Sequence, residues 1–117
     1  MIRRKNQELE ELIKLLRKAS IDNDVKIWKR VADDLDKPSR IRRKVNIYKL
    51  SESTKKDDLV VVPGKVLGMG DLKHDIKVAA YSFSDEAYKK INDKGKTMSL
   101  KELIKNNPKG KKVRIIG

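Results

Sequence analysis

The sequence predicts an α/β fold, in which an N-terminal helical hairpin leads into a mixed sheet with helices packed on it. Three observations carry this. Residues 7 to 36 hold two apolar stripes at helical spacing, residues from 45 onward turn to β-branched runs, and those runs alternate with capped helical segments. At 117 residues the chain makes one compact unit around one modest core, divided here into a helix pair over 1–38 and an α/β unit over 39–117.

The first helix is expected over 7–19, because Leu9, Leu12, Ile13, Leu16 and Ala19 recur at i, i+3, i+4 and i+7 with charges on the opposite side. Asp22-Asn23-Asp24 then punctuates the chain and offers cap acceptors to a second helix, in which Val25, Trp28, Val31, Ala32 and Leu35 share a face. That helix should end near Asp36, since Pro38 disfavours helical geometry at Lys37.

Past Ser39 the period changes. Val45 to Leu50 reads as a strand, Ser51 to Lys56 as a polar connection, and Leu59 to Val62 as a short buried strand stopped by Pro63-Gly64. The run Gly64-Lys65-Val66-Leu67-Gly68-Met69-Gly70 follows, where three glycines imply a hairpin turn or backbone approached closely by something else. Ile76 to Phe83 should be the central strand. Ser84 caps a helix to about Asp93 with Gly95 just beyond it, and the buried side of that helix carries Ala87, Tyr88 and Ile91. Lys96 to Met98 is a short strand, Ser99 to Glu102 a capping box opening a helix that stops before Pro108, and Lys112 to Ile116 a closing strand.

Composition narrows the function. With no cysteine, disulfides, thiolate nucleophiles and thiolate metal sites are absent, and a reducing compartment fits. Met1 to Glu8 is basic but is not followed by an apolar segment, so no export signal is expected. Uninterrupted apolar runs reach only four residues, such as Leu59 to Val62, too short for a membrane span. The net charge of +13 exceeds what solubility asks of a small domain, and a polyanion is the natural partner.

The charge is also sorted. Lys37 to Lys49 carries six cations and no acid, with Arg40, Arg42 and Arg43 able to grip phosphate oxygens through a planar fork. After Glu102 the asymmetry returns in Lys105, Lys109, Lys111, Lys112 and Arg114, whereas acids such as Glu8, Asp24, Asp85 and Glu86 gather near expected helix starts.

Other motifs carry less. The single histidine, His74, lies in a loop without the partners a metal site or proton-transfer dyad needs, so an exposed loop residue that stacks on a base or bonds a phosphate is the better expectation. The glycine run fails the P-loop register, since Gly70 is followed by Asp71, and it fails the dinucleotide register, since Lys73 occupies the third glycine's place. Trp28 belongs to a core stripe, while Tyr48, inside the basic segment, is a candidate base or sugar contact.

From Pro38 to Leu50 and from Leu59 to Gly70 the sequence resembles the eukaryotic-type large-subunit ribosomal protein eighteen family in its archaeal form, related to bacterial large-subunit ribosomal protein fifteen. The resemblance extends from about Leu12 to Ile116, through Val78-Ala79-Ala80 and Asn106 to Gly110. It implies an irregular ββα superhelix, a non-enzymatic structural role in the cytoplasmic ribosome, and large-subunit ribosomal RNA and neighbouring ribosomal proteins as partners. No cofactor, membrane or small-molecule substrate is implied. The chain's shortness at both ends relative to eukaryotic members fits the archaeal form.

The expected RNA contacts are Arg3, Arg4, Lys5, Lys37, Arg40, Arg42, Arg43, Lys44, Tyr48, Lys49, Gly64, Lys65, Gly68, Gly70, Lys73, His74, Lys109, Lys111, Lys112 and Arg114. The alternative is a DNA-binding regulator that uses the N-terminal helix pair, with Val25 to Lys37 as recognition helix. Asp33, Asp34 and Asp36 weigh against it, because a major groove repels carboxylates.

Overall fold

In the computed structural model, which describes residues 7–38 and 42–116, the stripe Leu9, Leu12, Ile13, Leu16 and Ala19 is buried along α1 (Gln7–Asn23). The helix runs a turn past its expected end. A Lys18–Asp22 ion pair of 2.8 Å spans i to i+4, and Asn23 Nδ2 donates to the Ala19 carbonyl at 2.9 Å, so the last turn is held by side chains. Asp22-Asn23-Asp24 therefore finishes α1 and does not cap the next helix. The N-cap of α2 (Ile27–Leu35) is Lys26, which makes no side-chain cap bond, and Asp24 sits at a left-handed φ of 52°.

α2 buries Trp28, Val31, Ala32 and Leu35 and ends at Asp36 as expected. Trp28 Nε1 donates to the Pro108 carbonyl at 2.8 Å, which satisfies the one polar atom of an otherwise apolar side chain.

The chain then forms β1 (Arg43–Asn46) and α3 (Ile47–Ser53). The expected strand over 45–50 is thus half strand and half helix. Ile47, Leu50 and Ser51 are buried at i, i+3 and i+4, a spacing that only a helix aims at one surface. Burying Ile47 and Leu50 is worth roughly 1.5–3 kcal/mol each, which outweighs a strand preference of about 1 kcal/mol.

β2 (Leu59–Leu67) passes through Pro63-Gly64 instead of stopping there. Its pairing with β3 (Lys77–Phe83) shifts register between Val62 and Lys65, so the proline falls at an irregularity where a missing N–H is tolerated. α4 (Asp85–Lys94), β4 (Lys96–Ser99), α5 (Leu100–Asn106) and β5 (Val113–Ile115) complete the order. Ser84 Oγ accepts from Ala87 N at 3.2 Å, and the Ser99–Glu102 capping box forms as expected. Tyr88 was expected inside. It is 54 % exposed and meets Phe83 edge-on, because Ala87 and Ile91 alone fill the inner side of α4.

The α/β class holds, and every strand pair is parallel, where the sequence implied a mixture of directions. β2, with three partners, is the central strand in place of β3. One face of the sheet packs Val61 and Ala79 against α1, α2 and α5; the other packs Val60, Val62, Val66, Val78 and Ala80 against α3 and α4. Helices on both faces are what a parallel sheet requires, since its backbone and both side-chain rows are removed from water.

Because β3 follows one edge of β2 from Leu59 to Val66, the two remaining partners share the other edge end to end. β5 pairs with residues 59–61, and β1 with residues 64–67.

A β-carbon on Gly64 would overlap the carbonyl oxygen of Arg43 on β1. Gly64→Ala is expected to destabilise the fold by about 1–3 kcal/mol through forced separation of β1 and β2, as read by urea unfolding.

Candidate nucleic-acid interface

The shared edge of β2 joins two basic segments that lie far apart in sequence. β1 brings Arg43 and Lys44, with Lys37 and Arg42 just before it; β5 brings Arg114, with Lys109, Lys111 and Lys112 just before it. From Leu59 to Lys65 along β2 the two groups stand about 20 Å apart, at 3.3 Å per residue.

Their side chains divide into two kinds. Some are committed inside the protein. Asp34, only 7 % exposed on α2, faces Lys37 Nζ at 3.1 Å and Arg43 Nε at 3.4 Å, which ties the start of the basic segment to the helix. Arg42 Nε donates to the Leu35 and Lys37 carbonyls at 3.2 and 3.1 Å, satisfying the C-terminal end of α2, and its guanidinium lies 5.8 Å from the Tyr81 ring centroid. Arg114 reaches Asp58 at 3.3 Å.

The others point outward. Lys44, Lys49, Lys65, Lys73, Lys109, Lys111 and Lys112 are exposed and form no ion pair with any described residue. Lys109 to Lys112 are presented by a braced loop. Asn107 exchanges hydrogen bonds with the Lys111 backbone at 3.1 and 2.9 Å, Gly110 adopts a φ of 64°, and the Trp28 bond holds Pro108. Arg3, Arg4, Lys5 and Arg40 lie outside the described residues.

The glycine run does not form a hairpin turn. β2 and β3 are parallel, so residues 68–76 must cross over, and they do so along α3. Tyr48 N donates to the Met69 carbonyl at 3.0 Å, Met69 N to Asn46 Oδ1 at 3.3 Å, and Lys73 N to Ser51 Oγ at 3.0 Å. The close approach that the glycines permit is met by the chain itself: a β-carbon on Gly68 would strike Glu86, and one on Gly70, at φ 101°, would strike Tyr48. Tyr48 is 46 % exposed beside that loop.

His74 is half-buried. Its Nε2 lies 2.8 Å from Thr54 Oγ1, and since that hydroxyl donates to the Leu50 carbonyl at 2.6 Å, the imidazole is the donor. The histidine therefore ties the crossover to α3 and is not the exposed loop residue expected from the sequence.

Two further residues have structural roles that local pattern shows only faintly. Asp34 is the carboxylate that fixes the basic segment, and its signal was an acid at i+3 from Val31 on the apolar side of α2. Lys90 donates from Nζ to the Gly68 and Gly70 carbonyls at 2.7 Å each and pairs with Glu86 at 3.0 Å, clamping the crossover; its only signal was the i, i+4 spacing from Glu86. On the outer side of α2, Asp33 and Asp36 are taken by Arg17 and Lys29, so this helix presents carboxylates where a recognition helix would need donors. Among the described residues, no group of three or more His, Cys, Asp or Glu is placed to hold a metal, and no helix is long and apolar enough to cross a membrane.

Comparison with known proteins places these features in a family. Residues 7–99 match the family described as ribosomal proteins, which comprises 50S-L15, 50S-L18e and a 60S protein. The chain is 44% identical over 116 residues to the large ribosomal subunit protein eL18 of Archaeoglobus fulgidus, covering 98% of this chain and 99% of that one. It is 45% identical over 112 residues to the eL18 protein of Methanococcus maripaludis, covering 95% and 93%, and 41% identical over 116 residues to that of Methanoregula boonei, covering 98% and 96%.

The Asp58 carboxyl is held below its ordinary value of 3.8, first by the Lys55 backbone N–H and then by Arg114, with burial opposing. A depressed folded pKa stabilises the fold above the unfolded value, and that contribution is lost as pH falls through the folded one. Asp58→Asn should therefore be less stable than the parent at pH 7 and match it once the parent carboxyl is protonated, below pH 3.8, in urea unfolding across a pH series.

Proposed function

This chain belongs to the family of large-subunit ribosomal proteins that includes 50S-L15 and 50S-L18e, and on that premise we propose that it is a structural, non-enzymatic constituent of the large ribosomal subunit that binds folded ribosomal RNA. Its place is then the cytoplasmic ribosome, with ribosomal RNA and neighbouring ribosomal proteins as partners.

The observation that carries this reading is the single basic edge along β2. Lys44 on β1 and Lys109, Lys111 and Lys112 just before β5 are far apart in sequence, are brought to one side of β2 by those strands, and have no ion pair among the described residues. A rigid sheet holding cations about 20 Å apart suits a polyanion with fixed spacing, because affinity comes from counterions released as phosphates are neutralised. Lys49, Lys65 and Lys73 extend the cationic surface beyond the edge. On this reading Tyr48, exposed beside the crossover, meets a base or sugar.

The roles within the basic segment separate on this reading. Arg42, Arg43 and Lys37 set the position of β1 against α2, and any RNA contact they make uses what their bonds to Leu35 and Asp34 leave over. Gly64, Gly68 and Gly70 act by shaping the backbone that carries the cations. The contacts go to phosphate and sugar, so the protein fixes the shape of folded RNA and does not read a duplex sequence.

Binding to large-subunit ribosomal RNA, measured across a potassium chloride series, should show a log–log slope that Lys111→Gln lowers by about one unit. Duplex DNA in equal nucleotide concentration should compete poorly. A preference for the duplex, or no RNA binding at low salt, would remove the basis of the assignment.

A further inference from the structure

We infer that Lys44, Lys65 and Ser82 form a built site for one phosphodiester group of an RNA backbone, an inference that rests on the RNA-binding reading above and gives it a specific seat. The sheet puts the three residues at one level. Lys44 on β1 is the register partner of Lys65 on β2, and Lys65 is that of Ser82 on β3. Their neighbours Val45 and Val66 are buried toward α3 and α4, so strand alternation aims Lys44 and Lys65 out of the opposite face, and both are exposed there.

This arrangement is electrostatically costly in the free protein. Cations directly opposite one another on adjacent strands, with backbones about 4.8 Å apart, repel. No ion pair among the described residues relieves them. The depression they line, about 160 Å³ in volume, is completed by Arg42, Arg43, Gly64 and Tyr81, with no carboxylate among them. Asp34, the acid bonded to this segment, already faces Lys37 and Arg43. The residues outside the description, 1–6, 39–41 and 117, contain no Asp or Glu.

The walls are fixed in advance. Arg42 is held by two carbonyls of the α2 terminus and lies against Tyr81, and Gly64 lets β1 approach β2 closely enough to align the two lysines. A tetrahedral oxyanion lying between Lys44 and Lys65 converts their repulsion into two attractions, and the Ser82 hydroxyl can donate a third, neutral bond. A free phosphate offers the same oxygens. The phosphodiester is favoured because β1, at the end of the strand order, shares one side of β2 with β5, so a continuing backbone can run from the depression toward the basic loop before β5.

One seat shared by two lysines has a signature that independent contacts lack. With the full chain and large-subunit ribosomal RNA, the salt slope should fall by about one unit in Lys44→Gln/Lys65→Gln, not by the two units expected of separate phosphates. A loss of about two, or no loss while Lys111→Gln still lowers the slope, overturns the shared seat and leaves RNA binding standing. Absence of wild-type RNA binding overturns both. Because the lysines repel in the free protein, the double variant should melt no lower than the parent at low salt; a lower melting temperature would assign them to the fold instead. Inorganic phosphate, titrated against the amide resonances of Lys44, Lys65 and Ser82, should shift them more weakly than a short RNA oligonucleotide does at equal phosphate concentration. The reverse order overturns the diester as occupant and names free phosphate.

Discussion

Burial of β2 on both faces is the constraint from which the rest of this structure follows. Val60, Val61, Val62 and Val66 are fully enclosed, so a strand flanked on both edges must also be covered above and below. A parallel arrangement supplies the covering, since each return to the start of a new strand carries chain across one face. α3 and α4 close one side; α1, α2 and α5 close the other. The bulge at Pro63-Gly64 is where β5 gives way to β1 along the outer edge, and thus where the two basic segments are brought into line.

Charge is partitioned by the same geometry. Carboxylates on α2 and before β2 hold Arg17, Lys29, Lys37, Arg43 and Arg114, and these contacts brace helix to helix and loop to strand. Exposed pairs of this kind contribute little to stability individually, at about 0–1 kcal/mol. Their larger effect is positional, because they occupy Asp33, Asp34, Asp36 and Asp58 and leave the lysines of the edge and the loops without an ion pair among the described residues. The basic segment at 37–49 is consequently not a uniform cationic tail. Its arginines at 42 and 43 look inward, toward the α2 terminus and Asp34, while Lys44 and Lys49 look outward.

The crossover at 68–76 shows how residues whose partners are distant in sequence take positions that local pattern does not reveal. Two glycines and a histidine next to lysines resemble a ligand loop. Every one of these features is instead satisfied within the chain, by Tyr48, Glu86, Lys90 and Thr54. Such bonds join positions more than 15 residues apart, as from Lys90 to Gly68, and local sequence holds no trace of them.

Local chemistry was enough to determine the α1 and α2 stripes, the Ser84 cap, the Ser99–Glu102 box, the positions of most strands and the sign of the surface charge, because each depends on residues within a turn or two of one another. The burial of Trp28 was legible for the same reason, lying on a stripe with Val31 and Leu35. Tertiary structure alone decided that residues 47–53 coil into a helix, that every strand runs parallel, that Tyr88 stays outside while Asp34 goes in, and that Lys44 meets Lys65 across the sheet. Those outcomes are settled by which surfaces compete for burial and which strands become neighbours, and that is a property of the packed chain as a whole.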